Sequence, residues 1–546
     1  MKRLFLFILL FYYSNVLFAQ AKFTEIGLIK GLTYIYPGID LLDTGGGVTI
    51  VDVNNDGWDD IIQSAGIFKS KLWINNKGKF EDKTFEYFSN FLDTTFIQST
   101  VSGDFDNDGY CDLFICNYGN GMGGMGDKKT PILFKNIEGK YFKPVFVETF
   151  NEIGAYSSAA WGDINNDGYL DLFIANYVSK MSQKKYGVDN VIGYDPTCLE
   201  NKFYINLSGK GFKEVSNKYN FNDDGCGLTV CFTDFDNDSD IDVMLLNDFG
   251  GWNHKGNQLY RNEFPKDTFS NISKSSGFYK EMYGMGVGVG DYDNDGNLDY
   301  YITNIGENIL FNNTTNGTFV SVAKNLKIDN TWVTDSIRGT SWSPLWFDVD
   351  NDSDLDLYIG TGNVKTMTPR TAIKDPNKFY LNIGNGKFKD VSYGSNVDDI
   401  LSHRGAAFFD FDHDGDLDII SSIIKMGWAD FGGMDQRIKL FRNDLKKGKN
   451  KNWIGFKLIG TDLINKDAIG SHVIIEVNGV KQIREVDGGS GHSSQSTKNL
   501  YFGVGKNKKI DNLLVKWIGG KILNVKNLKV GHVYNVYQNG TVSILY

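Results

Sequence analysis

"DFDNDGYCDLF", Asp104 to Phe114, sets carboxylates at alternate positions, Asp104, Asp106 and Asp108, then Gly109, then Asp112 four residues after Asp108. Carboxylates held so close repel one another, and the stretch therefore calls for a cation between them. The pattern recurs as "DVNNDGWDDI" from Asp52, "DINNDGYLDL" from Asp163 and "DFDNDSDIDV" from Asp234. It recurs again as "DYDNDGNLDY" from Asp291, "DVDNDSDLDL" from Asp348 and "DFDHDGDLDI" from Asp410. With Asp104 there are seven copies, whose starts are 52, 59, 71, 57, 57 and 62 residues apart, all reading D-x-[DN]-x-D-[GS]-x-x-D. One copy could be an ordinary turn, since Asp, Asn and Gly favour turns. Seven in register cannot be explained that way.

Calcium explains the spacing. It is a hard cation taking six to eight oxygens at about 2.3–2.6 Å. Oxygens at positions 1, 3 and 5 of a tight loop converge on one point, Gly or Ser at position 6 permits the turn, and Asp at position 9 closes the cage. The ligand side chains read this way are Asp52, Asn54, Asp56 and Asp60; Asp104, Asp106, Asp108 and Asp112; and Asp163, Asn165, Asp167 and Asp171. They continue with Asp234, Asp236, Asp238 and Asp242; Asp291, Asp293, Asp295 and Asp299; Asp348, Asp350, Asp352 and Asp356; and Asp410, Asp412, Asp414 and Asp418. The expectation is up to seven structural Ca²⁺. An EF-hand needs Glu at position 12 and flanking helices. Position 12 is here Gln63, Ile115, Ile174, Leu245, Ile302, Ile359 or Ser421, and the flanks are short apolar runs such as "LFICNY" and "LYIGTG". Such runs are buried strands, so each loop joins a hairpin.

About 20 residues after each motif comes a strand–turn–strand signature, as in "LWINNKGKFEDKT" at 72 and "FYINLSGKGFKEVS" at 203. One repeat is then strand A, Asp loop, strand B, long loop, strand C, turn and strand D, which is a propeller blade. The seventh repeat has strand C, "LFRND" from Leu440, but no strand D. "KFTEIGLIKGL" at 22–32 resembles the missing piece. The predicted fold is all-β: a seven-bladed β-propeller over 22–447, closed by the N-terminal strand so that no sheet edge stays open, with a small β domain over 452–546. The latter shows alternating strands in two or three hairpins.

The repeats resemble FG-GAP/VCBS repeats, as in integrin α-chain propellers. The tail, with "NKDAIGSHV", "GGSGHSSQS", "LYFGVG" and "VKWIGG", resembles the ASPIC/UnbV domain that follows such propellers in the cartilage-acidic-protein-like family. Ile518-Gly519 stands where that family usually has Pro-Ser, and no EGF-like module follows. The resemblance implies architecture more than activity.

The 546 residues are 41% apolar and 14% aromatic, with 62 Gly against 8 Pro, a composition suited to many short strands and turns. Lys2 and Arg3, an apolar stretch from Leu4 to about Phe18 and "AQA" at 19–21 read as a cleaved export signal over 1–21. The stretch is short for a membrane span, so the chain is expected to be secreted, periplasmic or at the cell surface, without a transmembrane segment after cleavage. The net charge is −11. Loss of Lys2 and Arg3 makes it −13, and seven Ca²⁺ would leave about +1. No acidic or basic tail stands out, and nucleic acid is not an expected partner.

The A–B loops crowd one face of such a propeller, and the long B–C loops lie on the other. There Tyr177, Tyr194, Trp252, His254, Arg370 and Trp428 offer aromatic platforms and hydrogen bonds to an extracellular glycan or protein; alternatively each packs under its own loop. Catalytic motifs are missing: there is no G-x-S-x-G, H-E-x-x-H or phosphate loop. His413, His472 and His492 are isolated and read as structural. The expected function is a monomeric binding or adhesion module. The alternatives are a carbohydrate-active enzyme of the polysaccharide-lyase kind and an architectural part of an envelope complex.

Of the five cysteines, Cys111 and Cys116, like Cys226 and Cys231, are five residues apart near strands, about 16 Å if extended. That is too far for a disulfide, which needs Cα atoms within about 7 Å. Cys198 and Cys226 both fall on the face opposite the Asp loops, at neighbouring blades, and are the expected pair; the alternative is five free buried thiols.

Overall fold

Each Asp-rich loop joins two strands, and its last aspartate (Asp60, Asp112, Asp171, Asp242, Asp299, Asp356 or Asp418) is the first residue of the second strand. This computed structural model describes residues 22–546 except 36–44, 67, 95, 119–129, 187–189, 315–316, 331, 335–336, 365–373, 425–436, 446–450 and 462–463. The proposed leader, Arg370 and Trp428 lie outside the described residues.

Among the described residues, the repeats form seven four-stranded antiparallel sheets. Sheet one is Val48–Val51, Asp60–Gln63, Lys71–Asn75 and Phe80–Asp82, paired in that order. The first strands of sheets two to six are Ile97–Gly103, Tyr156–Gly162, Gly227–Thr233, Val287–Gly290 and Ser341–Phe347, and each sheet repeats the same order. Sheet seven takes three strands from its own repeat, Ser402–Phe409, Asp418–Ile424 and Lys439–Asn443. Its fourth is Phe23–Glu25, with Phe23 opposite Asn443 and Glu25 opposite Phe441. Phe23 is fully buried and meets Phe379 of sheet six edge-on at 5.5 Å.

The first strands are rich in Gly, Ala, Ser and Thr because neighbouring sheets meet there. A Cβ on Gly162 would come within 2.8 Å of the Phe232 ring in the next sheet. Between the sheets, Phe, Tyr, Trp and Ile side chains fill the wedges, with Trp73, Trp161, Tyr204 and Tyr300 among the largest fully buried ones.

A joint that the motif reading passed over recurs between all seven sheets. An Asn in strand C donates its backbone N–H to the position-9 aspartate of its own sheet and its side-chain amide to a carbonyl of the preceding sheet. Asn136 Nδ2 reaches Val53 O at 2.8 Å, Asn206 reaches Phe105 at 2.8 Å and Asn262 reaches Ile164 at 2.9 Å. Asn313 reaches Phe235 at 2.7 Å, Asn382 reaches Tyr292 at 2.8 Å and Asn443 reaches Val349 at 2.8 Å. Asn75 makes the same bond from sheet one to Phe411 of sheet seven, at 2.9 Å. These buried acceptors would otherwise lack partners, which makes the joint costly to lose.

The C-terminal region folds as two four-stranded sheets. One runs Leu500–Gly505, Asn452–Ile459, Val533–Tyr537, Val542–Ile544; the other runs Val480–Glu485, His472–Val477, Asn512–Lys516, Ile522–Lys526. Among the described residues three hairpins are present, where the alternation predicts two or three. The parallel pairing of Asn452–Ile459 with Val533–Tyr537 is non-local and leaves no hairpin signal in the sequence.

Candidate functional site

The seven Asp loops share one geometry. The position-1 carboxylate accepts the N–H of positions 5 and 6, as Asp104 does from Asp108 at 3.0 Å and Gly109 at 2.7 Å. The position-9 carboxylate accepts from position 2 with one oxygen and from the joint Asn with the other: Asp112 accepts from Phe105 at 3.2 Å and Asn136 at 2.7 Å. Position 4 is left-handed in every loop: Asn55, Asn107, Asn166, Asn237, Asn294 and Asn351 have φ between 54° and 63°, and His413 has φ 58°. Asn adopts that conformation readily, so the Asn at position 4 of six loops is itself a sequence signal for this turn.

Backbone donors thus occupy part of each carboxylate and hold the rest inward. In five loops three carboxylates bring an oxygen each within 4.8 Å of one another: Asp104, Asp106, Asp108; Asp234, Asp236, Asp242; Asp291, Asp293, Asp295; Asp348, Asp350, Asp356; and Asp410, Asp412, Asp418. In the other two, Asn54 and Asn165 replace the position-3 aspartate. The buried Oδ1 atoms of Asp106, Asp236, Asp293 and Asp350 have no hydrogen-bond partner. An orphaned, buried, acceptor-only oxygen aimed among carboxylates fits a hard cation. Burial, with neighbouring carboxylates adding to it, pushes Asp104, Asp163 and Asp291 up to about 7 and Asp112 up to about 9. A divalent cation would remove that penalty by favouring the charged forms. Lysines supply some positive charge: Lys135 bonds Asp106 and lies 2.9 Å from Asp108, and Lys451 is 2.6 Å from Asp350.

The C-terminal sheets sit on this face. Asp467 Oδ2 accepts the Asp104 N–H at 2.7 Å, and Glu485 Oε2 accepts the Asp234 N–H at 2.9 Å. Thr497 donates to Asp59 at 2.6 Å, Gly505 N–H to Asn351 O at 3.0 Å and Gly519 N–H to Ser239 O at 3.0 Å. At the seventh loop His413 is stacked between Trp58 and Tyr546, 3.6 Å from each ring. Burial lowers its pKa to about 4 and keeps it neutral. His472 is buried against Glu485 at 2.9 Å.

The "GGSGHSSQST" stretch, Gly488 to Thr497, enters the axis where the first strands converge. Trp161 N–H donates to Gly488 O at 3.1 Å, Val48 N–H to Ser494 Oγ at 3.0 Å and Ile50 N–H to Gln495 O at 3.0 Å. Ser102 N–H donates to Gln495 Oε1 at 2.8 Å and Phe408 N–H to Ser496 Oγ at 3.2 Å. His492 faces Met285 O at 3.2 Å and the Trp342 ring at 4.7 Å. The glycines and small hydroxyls of this stretch are what fit so narrow a space, but nothing local in the sequence says where the stretch goes.

On the opposite face, Tyr177 is buried, only 3% exposed, and bonds Asp248. The reading of Tyr177 as a partner platform is therefore corrected: it packs under its loops because its hydroxyl finds a buried carboxylate. It belongs to an aromatic row: Tyr118, Tyr177, Phe249, Trp252 and Tyr283, with successive centroids 6.1, 5.7, 5.5 and 5.5 Å apart. Trp252 and Tyr283 end the row half-buried, and His254 is exposed with Nδ1 3.0 Å from Glu281. Tyr194 lies in a hairpin of Val178–Tyr186 with Asn190–Cys198. That hairpin is tied at its base by the Cys198–Cys226 disulfide, Cα–Cα 4.7 Å, while Cys111, Cys116 and Cys231 are free.

An FG-GAP-like repeat family model matches residues 104–174, 234–302 and 291–359, and an ASPIC and UnbV model matches 462–543. The chain carries FG-GAP-like repeats and an ASPIC and UnbV domain. Cartilage acidic protein 1 of Xenopus tropicalis is 25% identical over 518 residues, covering 90% of this chain and 72% of that protein. The Homo sapiens protein is 23% identical over 455 residues; the match covers 81% of this chain and 62% of that protein, less than two thirds of its length. Among solved structures, the GH74 xyloglucanase from Xanthomonas campestris aligns with TM-score 0.42 and 11% identity over 79% of this chain and 57% of that one. An Agrocybe aegerita lectin described as recognising non-reducing terminal N-acetylglucosamine aligns with TM-score 0.37 and 15% identity, over 64% and 81%. No helix among the described residues is long and apolar enough to cross a membrane.

Proposed function

We propose that this chain is an exported, calcium-stabilised seven-bladed propeller, closed by its N-terminal strand, that serves as a binding or adhesion module for an extracellular glycan or protein. The ions act in the scaffold: each would lie in an A–B loop, hold one hairpin, and take its oxygens from positions 1, 3, 5 and 9. The observation that carries the binding role is the asymmetry of the two faces. The ASPIC and UnbV domain covers the Asp-loop face, which leaves the opposite face, with its long loops, disulfide-tied hairpin and the Trp252–Tyr283 end of the aromatic row, to meet a partner. Long loops on a rigid scaffold are where binding residues concentrate, and half-buried aromatic rings suit sugar faces and protein anchors alike.

A glycan array run beside a turnover assay on acidic polysaccharides tests this reading. Retention of a glycan class that is lost in Trp252→Ala, without turnover, supports it. Release of new unsaturated ends would replace it with a polysaccharide lyase on the same scaffold.

A further inference from the structure

The axial stretch Gly488–Thr497 and the Asp loops are parts of one connected arrangement. The domain that sends the stretch into the axis also holds the backbone of two loops at their first ligand, through Asp467 on Asp104 and Glu485 on Asp234. Its half-buried Arg484, over the Phe502 ring at 5.0 Å, interacts electrostatically with the first ligands of two more loops, Asp291 and Asp348. Lys457 stands 3.6 Å from Asp52. Seating the stretch and ordering the loops therefore draw on the same backbone.

We propose that docking of the ASPIC and UnbV domain and calcium occupancy are thermodynamically linked, with Asp467 and Glu485 as positioning residues for the second and fourth calcium loops; this rests on the calcium reading above. A cation in a loop fixes the N–H of its first aspartate in the direction that Asp467 or Glu485 accepts. Conversely, a seated domain holds the loop in its ligand-binding shape before the ion arrives. Such coupling is reciprocal: whatever calcium does for docking, docking does for calcium.

Gly47 offers a way to disturb one partner without touching the other. A Cβ there would meet Ser493 O at 1.6 Å, Ser493 C at 2.3 Å and Ser494 Oγ at 2.9 Å, all atoms of the axial stretch. Gly47→Ala thus unseats the stretch while leaving every proposed ligand and positioning residue in place. Calcium titration of the full-length wild type, Gly47→Ala, Asp467→Ala and Asp467→Asn should show weaker binding in Gly47→Ala by at least about fivefold, the lower end of ordinary couplings. Asp467→Ala should weaken one site, and Asp467→Asn, which can still accept the N–H, should restore it in part.

Hydrogen exchange on the wild type supplies the reverse measurement and does not depend on the variants folding. Chelation should speed exchange at the amides of Val48, Ile50, Trp161 and Phe408, which bond the axial stretch, more than at Leu172–Ala175 inside sheet three. Equal calcium affinity in folded Gly47→Ala, or exchange at those four amides indifferent to chelation, overturns the linkage. A wild type that takes up no calcium overturns the underlying reading instead.

Discussion

Asn75 Nδ2 donates to the carbonyl of Phe411 at 2.9 Å, joining the first sheet of the chain to the last. The same bond occurs between every other neighbouring pair, for instance from Asn206 to Phe105 at 2.8 Å. The contact between first and last sheets thus uses the same bond as the contacts between the other neighbouring sheets.

Asn75→Ala and Asn206→Ala should accordingly cost similar stability. Each leaves buried carbonyls without a donor, an effect of about 1–3 kcal/mol. Thermal melts of the two variants check this. An Asn75→Ala melt identical to wild type, beside a lowered Asn206→Ala melt, would mean that the first and last sheets are not joined in solution.

Deleting 22–32 removes Phe23–Glu25 and exposes Lys439–Asn443 as an unpaired edge, with Phe441 and Asn443 losing their ladder partners. Exposed edges recruit other chains. The deletion variant should aggregate at concentrations where the intact chain is monomeric, as read by light scattering. A monomeric deletion variant with an unchanged melt would count against closure by this strand.

The repeat was legible because the Asp spacing admits few explanations and because seven copies constrain one another. The fourth strand of the last sheet could be read for the same reason: a missing strand at one end matched a spare one at the other. The C-terminal domain was legible as alternating strands and by its ASPIC/UnbV motifs, but not in its placement. Where it docks depends on contacts over hundreds of residues, such as Gln495 with Val48 and Ser102, and no local pattern encodes such distances. Tyr177 went astray likewise, since its partner Asp248 is 71 residues away.

Non-reducing peptide mapping should yield one cross-linked pair, Cys198 with Cys226, and three alkylatable thiols at Cys111, Cys116 and Cys231. Removing the bond by Cys198→Ala with Cys226→Ala should lower stability by about 3.6 kcal/mol on the loop-entropy account for a separation of 28 residues. Five alkylatable thiols in the denatured, unreduced protein would refute the pairing.

Asp399 supplies a pH signature away from the Asp loops. Burial acts to raise its pKa, but the charge and hydrogen bond of His403, 2.7 Å away, outweigh burial and hold it below 3.8. A carboxylate lowered on folding contributes stability above its unfolded pKa and loses it as pH falls through the folded one. Asp399→Asn should therefore melt lower than wild type at neutral pH, and the gap should close below about pH 4. A gap independent of pH would assign the loss to packing instead.

Calcium content tests the central claim most directly. The full-length chain, equilibrated with calcium, freed of excess by gel filtration and measured by atomic emission, should carry up to seven Ca²⁺ per chain. Stripping with EGTA should lower the melting temperature sharply, and Ca²⁺ should restore it better than Mg²⁺, which demands a tighter octahedral site. A chain that retains no calcium and melts alike with and without EGTA would contradict the account.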